Sequence, residues 1–369
     1  MRRTRPGSQI LLLLGMAAVL GGCTGPAAPT QPKPNQGTGG GTSITTAPVA
    51  PALASQARAG PGEVTVTVFH ETHTHGALLG EDQESTTGPV PADGRTFAHF
   101  AGLLDQQRRR LPSGSSLFVG NGDDLSPELA IPAVFGGGAP VPTEGRHITE
   151  AFNAAGMDAD TFGCDYAMEG GPDLLRGLVA RSRFRWVSAN VRDGERPGEV
   201  FAAEQGARTF TLAQAGGLRV GVTGAASSEC GQAPSRTSDV TPLDPVTALR
   251  EVVPQMRAAG AQLVVVLSHL TYEEMEQVAR QVDGVDVILG SHVGPQPYGF
   301  LDQPRVIGRT ILSVAGNNMA AVGQLDLVVR RRDGRIVRFG FRRHLVTPSG
   351  PASPAVKAVL DGYLAKRPR

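Results

Sequence analysis

His73 and His75 stand one residue apart, just after the apolar run 64–69 and just before Gly76. Side chains alternate faces along a strand, so residues two apart at a strand end project the same way. Two imidazoles aimed in one direction make a metal-ligand pair. Four more apolar runs end in similar chemistry. Residues 116–120 lead to Gly122, Asp123 and Asp124, and residues 158–162 lead to Gly163, Cys164 and Asp165. Residues 263–267 lead to Ser268 and His269, and residues 285–289 lead to Gly290, Ser291 and His292. Taken alone, each histidine is more often a hydrogen-bonded structural residue than a ligand. In open α/β sheets, however, ligands bind at the carboxyl ends of strands, and imidazoles, carboxylates and a thiol at five such ends point to a metal centre.

The elements that must position these residues read as an α/β fold. From residue 63 to about residue 347, apolar strands alternate with amphipathic helices that cover a sheet. Phe97, Phe100, Leu103 and Leu104 line one predicted helix face, and Ile148, Phe152 and Ala155 line another. Asp244 and Pro245 open a third helix as cap and first-turn proline; Val246, Leu249, Val253 and Met256 face inward and Gly260 closes it. Thr271 and Glu274 have capping-box spacing for a fourth. A last helix, residues 355–365, belongs to a terminal segment 350–369 with a basic end.

The chain has 369 residues, is 40 % hydrophobic and has only 5 % aromatic residues, enough for a large aliphatic, sheet-centred core. Its formal net charge is +1 and its charges are scattered, so no nucleic-acid polymer is expected as a partner. At the amino terminus, Arg2, Arg3 and Arg5 precede an apolar run, residues 10–20, too short to span a bilayer as a mature helix. It reads as the core of a signal peptide. Residues 24–60 are rich in Pro, Gly, Thr and Ala and nearly uncharged, and they read as a disordered tether. Cys164 and Cys230 are either a disulfide of an exported protein or, in the case of Cys164, a ligand among ligands.

The order of these strand-end residues resembles that of the calcineurin-like metallophosphoesterases, in their 5′-nucleotidase branch, over roughly residues 63–345. That family runs Asp-x-His, Gly-Asp, Gly-Asn-His, a His after an apolar strand, and Gly-His-x-His. The segment 152–158, PheAsnAlaAlaGlyMetAsp, resembles the helix and strand before its Asn-His step. The resemblance implies a metallophosphoesterase-like α/β sandwich with helices covering central sheets. It implies one or two divalent ions (Zn, Mn or Fe), with His75 on the first metal, Asp123 bridging, and His269 and His292 on the second. Asp124 is the rival for the bridging role. Four positions depart from the pattern: His73 replaces a carboxylate, Cys164 the ligand Asn, Asp165 the catalytic His, and Gly294 the second His of the last motif. His73 and Cys164 would then be substitute ligands, Cys164 completing a tetrahedral set suited to zinc, and Asp165 the substitute acid. The implied substrate is a small phosphorylated compound, a phosphomonoester or a nucleotide-like one, hydrolysed in an impaired or redirected way. A fold retained without turnover, to bind a metal, a phosphate ligand or a partner, is the other expectation.

Leu20-Gly21-Gly22-Cys23 resembles a bacterial lipobox, which implies lipidation of Cys23. The expected organisation is a lipoprotein signal peptide over 1–22, a lipid anchor and tether over 23–60, a metallophosphoesterase-like domain over 61–349, and a terminal helix and tail over 350–369. The protein would be exported and held by its lipid at the bacterial cell envelope.

Overall fold

The run Leu263–His269 is apolar on both faces and every one of its residues is buried, as expected for a central parallel strand covered from two sides. It lies in the second of two large sheets in a computed structural model that describes residues 52–53, 58–72, 74, 76, 78, 94–125, 130–131, 141–164, 171–228, 230, 240–290, 301, 303–316 and 319–366. Cys23 and the tether up to residue 51, His73, His75, Asp165, His292 and Gly294 lie outside these residues.

The first sheet runs, edge to edge, Ala52–Leu53, Arg335–Leu345, Ala321–Arg330, Glu63–His70, Ser116–Val119, Ala159–Asp160 and Arg185–Trp186. Its last four strands are mutually parallel. The second sheet runs Arg305–Ile307, Thr310–Ser313, Val287–Leu289, Leu263–His269, Leu218–Ala226 and Phe210–Ala215, with four parallel strands between antiparallel edges. The parallel strands of each sheet therefore end on one side. In register, His70 lies beside Val119 and Ala226 beside His269.

Alternation along Glu63–His70 shows how the layers form. Val66 and Val68 pack against Val220, Val265 and Leu289 of the second sheet, while Phe69 faces the other way into a helix-covered core. That outer core takes Phe97, Phe100 and Leu104 from helix Phe97–Arg108, Ile148 and Phe152 from Arg146–Ala155, and Leu175 and Leu178 from Gly171–Arg181. On the far side of the second sheet, Leu249, Val253 and Met256 of helix Pro245–Ala258 and Met275 and Val278 of Tyr272–Gln281 pack on Val264, Val266 and Ile288. The result is helix, sheet, sheet, helix: the expected sandwich.

Local signals in the sequence act as expected. Asp244 Oδ1 accepts the Thr247 N–H at 2.7 Å, capping helix Pro245–Ala258. Thr271 and Glu274 form the reciprocal capping box, with Thr271 N–H to Glu274 Oε2 at 2.8 Å and Glu274 N–H to Thr271 Oγ1 at 3.3 Å. The terminal helix, Pro354–Leu364, buries Val356, Leu360 and Tyr363 in the same core as helices Phe97–Arg108 and Arg146–Ala155, so it closes that core. The hairpin Ala321–Arg330 with Arg335–Leu345 is the departure from simple α/β alternation. It inserts antiparallel strands beside Glu63–His70.

Candidate metal centre

Asp123 is the geometric hinge of the site. Its backbone sits at φ 56°, left-handed space that a non-glycine residue occupies at a cost, and Gly122 before it sits at φ 83°. This turn follows strand Ser116–Val119 and swings the carboxylate toward the second sheet. Asp123 Oδ1 accepts the backbone N–H of Cys164 at 2.6 Å, and Asp123 Oδ2 lies 3.2 Å from Nε2 of His269. Both oxygens are thus directed, one at the loop after Ala159–Asp160 and one at the end of Leu263–His269.

Gly163 is what lets these three loops meet. A Cβ added there would lie 2.5 Å from Asp123 N, 2.6 Å from Asp123 Oδ1 and 3.0 Å from the His269 ring. Only glycine fits. His269 itself is fully buried, and its carbonyl accepts the Ser227 N–H at 2.8 Å, which ties the neighbouring strand end to it. Asn190 fixes that strand end a second time. Its side chain accepts the Ala226 N–H at 2.9 Å and donates to the Ala226 carbonyl at 2.7 Å.

Cys164 is bonded to Cys230. Of the two readings open for this cysteine, the structure holds the disulfide, and the expectation of Cys164 as a thiolate ligand is corrected for this state. The physical reason is proximity. The loops after Ala159–Asp160 and after Leu218–Ala226 end side by side, so a second sulfur is in bonding reach of the first. The pair lies against His269; an imidazole nitrogen and the two sulfurs all fall within 4.8 Å of one another. Asp123 and His269 are the expected ligands that the structure brings together. His73, His75, Asp165 and His292 lie outside the described residues.

Beneath Asp123 is a layer of buried acids, of which the strand-end pattern singles out only Asp124. Asp124, the rival bridging residue, turns the other way: its Oδ1 accepts the Thr74 N–H at 2.8 Å and its carbonyl accepts the Gly76 N–H at 3.0 Å. Asp124 thereby anchors Thr74 and Gly76. Asp160 Oδ1 accepts the N–H groups of Thr161 at 2.7 Å and Gly122 at 3.2 Å, supporting both neighbouring loops. Glu71 is fully buried, and the Asn121 amide donates to its carbonyl. Burial first, and then the charges of Asp124 and Asp160, push the Glu71 carboxyl well above the usual range. His70 is also fully buried; desolvation lowers its pKa to about 4, so it stays neutral while its Nε2 meets Ser313 Oγ at 3.1 Å across the two sheets.

From two rigid sheets, these residues bring a carboxylate oxygen and an imidazole nitrogen within 3.2 Å of each other, a pair of the donor types that divalent metals take. No family model matches the chain. It is 25 % identical to a probable 5′-nucleotidase of Treponema pallidum over 306 residues, which is 78 % of this chain and 49 % of that protein. It is 23 % identical to the 5′-nucleotidase of Bos taurus, over 63 % of this chain and 38 % of the relative. The chain thus spans half or less of the length of these relatives. Among solved structures, the 5′-nucleotidase precursor from Thermus thermophilus superposes with a TM-score of 0.65 at 25 % identity, covering 82 % of this chain and 58 % of that one. The calcineurin-like phosphoesterase YfkN from Bacillus subtilis shares the fold, with a TM-score of 0.64, and is covered over 97 % of its chain. With relatives and fold in agreement, this chain is similar to the calcineurin-like phosphoesterases of the 5′-nucleotidase branch, in sequence to the 5′-nucleotidases and in fold to the phosphoesterases.

Proposed function

We propose that the protein is a metal-dependent phosphoesterase that hydrolyses a small phosphorylated, nucleotide-like ester at the Asp123–His269 centre, less efficiently than, or redirected from, its relatives. The observation that carries this reading is the 3.2 Å approach of Asp123 Oδ2 to His269 Nε2 at the carboxyl ends of the parallel strands. The described donors fit a divalent cation of the zinc, manganese or iron class, which Asp123 and His269 would hold; His73, His75 and His292 are the further proposed ligands. When bound, such an ion supplies Lewis-acid polarisation of the phosphoryl group and a hydroxide at neutral pH. The chain's own part is to aim and to hold. The Cys164 N–H fixes one oxygen of Asp123 so that the other faces the site, and the buried strand end keeps the His269 ring from turning away. Asp165 is the proposed proton donor to the leaving oxygen.

Nucleobase recognition is not part of the proposal. Trp186, the only tryptophan, is buried and stacks on Phe162 with ring centroids 5.0 Å apart, so it offers no platform for a base. Metal analysis and aryl-phosphate turnover on the full chain test the reading. Metal content and hydrolysis should both fall by an order of magnitude or more in His269→Ala. Unchanged metal content and unchanged hydrolysis in that variant would overturn it.

A second reading has its own observation: the cystine occupies the sulfur of Cys164, which stands where the family places a ligand. On that reading the protein binds a metal, a phosphate ligand or a partner without turnover. A metal-loaded, folded protein that leaves aryl phosphates and nucleotides intact would favour it.

The proposed setting is the bacterial cell envelope, with residues 1–22 as a signal peptide and Cys23 lipidated. The Cys164–Cys230 disulfide supports an oxidising compartment. Among the described residues, no helix is long and apolar enough to cross a membrane. Cells labelled with a fatty acid should incorporate it into the wild type and not into Cys23→Ser. Label retained on Cys23→Ser would refute the assignment.

A further inference from the structure

Cys230 takes no part in the proposed reaction, yet its sulfur sits at the site. Cys164, Cys230 and His269 come from three separate strand ends, and each offers a donor atom within 4.8 Å of the other two. Cys230 is 1 % exposed and His269 fully buried, so these donors are held by the core. Two thiolates and an imidazole at that spacing match the first three corners of a tetrahedral site for a soft divalent cation, where metal–sulfur bonds are about 2.3 Å and metal–nitrogen bonds about 2.0–2.1 Å. The fourth corner has a donor at hand, since Asp123 Oδ2 is 3.2 Å from His269 Nε2.

We propose that the cystine is one of two exclusive states of this place, and that its reduction creates a Cys164–Cys230–His269 site for a zinc-class cation. The exchange is balanced. A dithiol reductant attacks one sulfur, the Cys164–Cys230 bond breaks, and two electrons and two protons pass to the protein as the reductant closes its own disulfide. A divalent cation then binds both sulfurs and displaces the two thiol protons to solvent. The new site draws on His269, which the phosphoesterase centre also uses. Its consequence for turnover therefore rests on the phosphoesterase reading, whereas the site itself rests only on the three donors.

Cobalt(II) is the probe, because thiolate ligands give it a strong near-ultraviolet charge-transfer absorption that oxygen and nitrogen ligands lack. The protein is the full chain carrying Cys23→Ser, so that only Cys164 and Cys230 remain as thiols. After reduction by a dithiol and removal of the reductant, it should bind about one equivalent of cobalt with thiolate absorption, and zinc should displace it. The oxidised protein should lack that absorption. Cys230→Ala and Cys164→Ala, each checked for folding by circular dichroism, should lose most of its intensity. A reduced, folded protein without thiolate absorption overturns the proposal, as does absorption undiminished in Cys230→Ala or a chain that unfolds on reduction. Aryl-phosphate turnover is read in parallel. If the oxidised, metal-loaded protein has no turnover but the cobalt result holds, only the phosphoesterase reading fails.

Discussion

Cys164→Asn with Asp165→His, made in a Cys230→Ala chain so that no orphan thiol remains, is expected to raise aryl-phosphate turnover by about 10² to 10⁴, the usual contribution of a positioned general acid. The geometry around position 164 is what makes the exchange reasonable. Asp123 is oriented by the backbone N–H of residue 164, which any residue except proline supplies, so the carboxylate should keep its aim. Gly163, whose absent side chain gives Asp123 and His269 their room, is untouched. On the phosphoesterase reading, the asparagine would add a neutral amide ligand and the histidine an imidazole for the phosphoryl transition state. The measurement is kcat at saturating metal on protein shown to be folded. Turnover still at background after His73→Asp and Gly294→His are added would defeat the enzymatic reading. A fall below wild type would assign Cys164 and Asp165 to some other chemistry.

Why some of the site was legible in the sequence and some was not is a matter of where the physical signal lies. Asp123 and His269 stand out because each comes within three residues of the end of an apolar run, and parallel strands gather their carboxyl ends on one side. The same logic extends to Cys230, three residues beyond Ser227 at the end of Leu218–Ala226, but that strand carries no ligand-like residue to mark it. Glu71 and Asp160 lack a signal altogether, and Asp124 carries one only for a different role, that of a bridging ligand. A carboxylate normally faces water, and only the fold shows that these three are fully buried behind the turn they support. Cys164 is the instructive case, because a strand-end thiol satisfies the pattern for a ligand and the pattern for a disulfide equally. What separates them is the position of a residue 66 places away. The helices Phe97–Arg108, Arg146–Ala155, Pro245–Ala258, Tyr272–Gln281 and Pro354–Leu364 were legible from caps and periodicity, whereas Gly171–Arg181 carried no such mark. The hairpin Ala321–Arg330 with Arg335–Leu345 was not, since Arg335, Arg338, Arg342 and Arg343 give its outer strand the look of a polar segment.

Removing the cystine should have the largest effect on stability. Closing a loop of 66 residues restricts the unfolded chain by about 4 kcal/mol on the chain-entropy account, roughly a thousandfold in the folding equilibrium. Cys230→Ala avoids burying a hydroxyl in the core where Cys230 packs, so its cost should be dominated by the lost cross-link. Urea denaturation at pH 7 should therefore show oxidised wild type more stable than Cys230→Ala by about this amount. Reduction should bring the wild type down to the variant and leave the variant unchanged. The metal proposal then adds a sign of its own: a ligand that binds only the folded state stabilises it. Zinc added in excess should recover more of the loss in the reduced wild type than in Cys230→Ala, where only the Asp123–His269 centre is left to bind it. Equal stability of oxidised and reduced wild type would mean that the cross-link does not form in solution. Equal recovery by zinc in the variant would place the cation at other ligands.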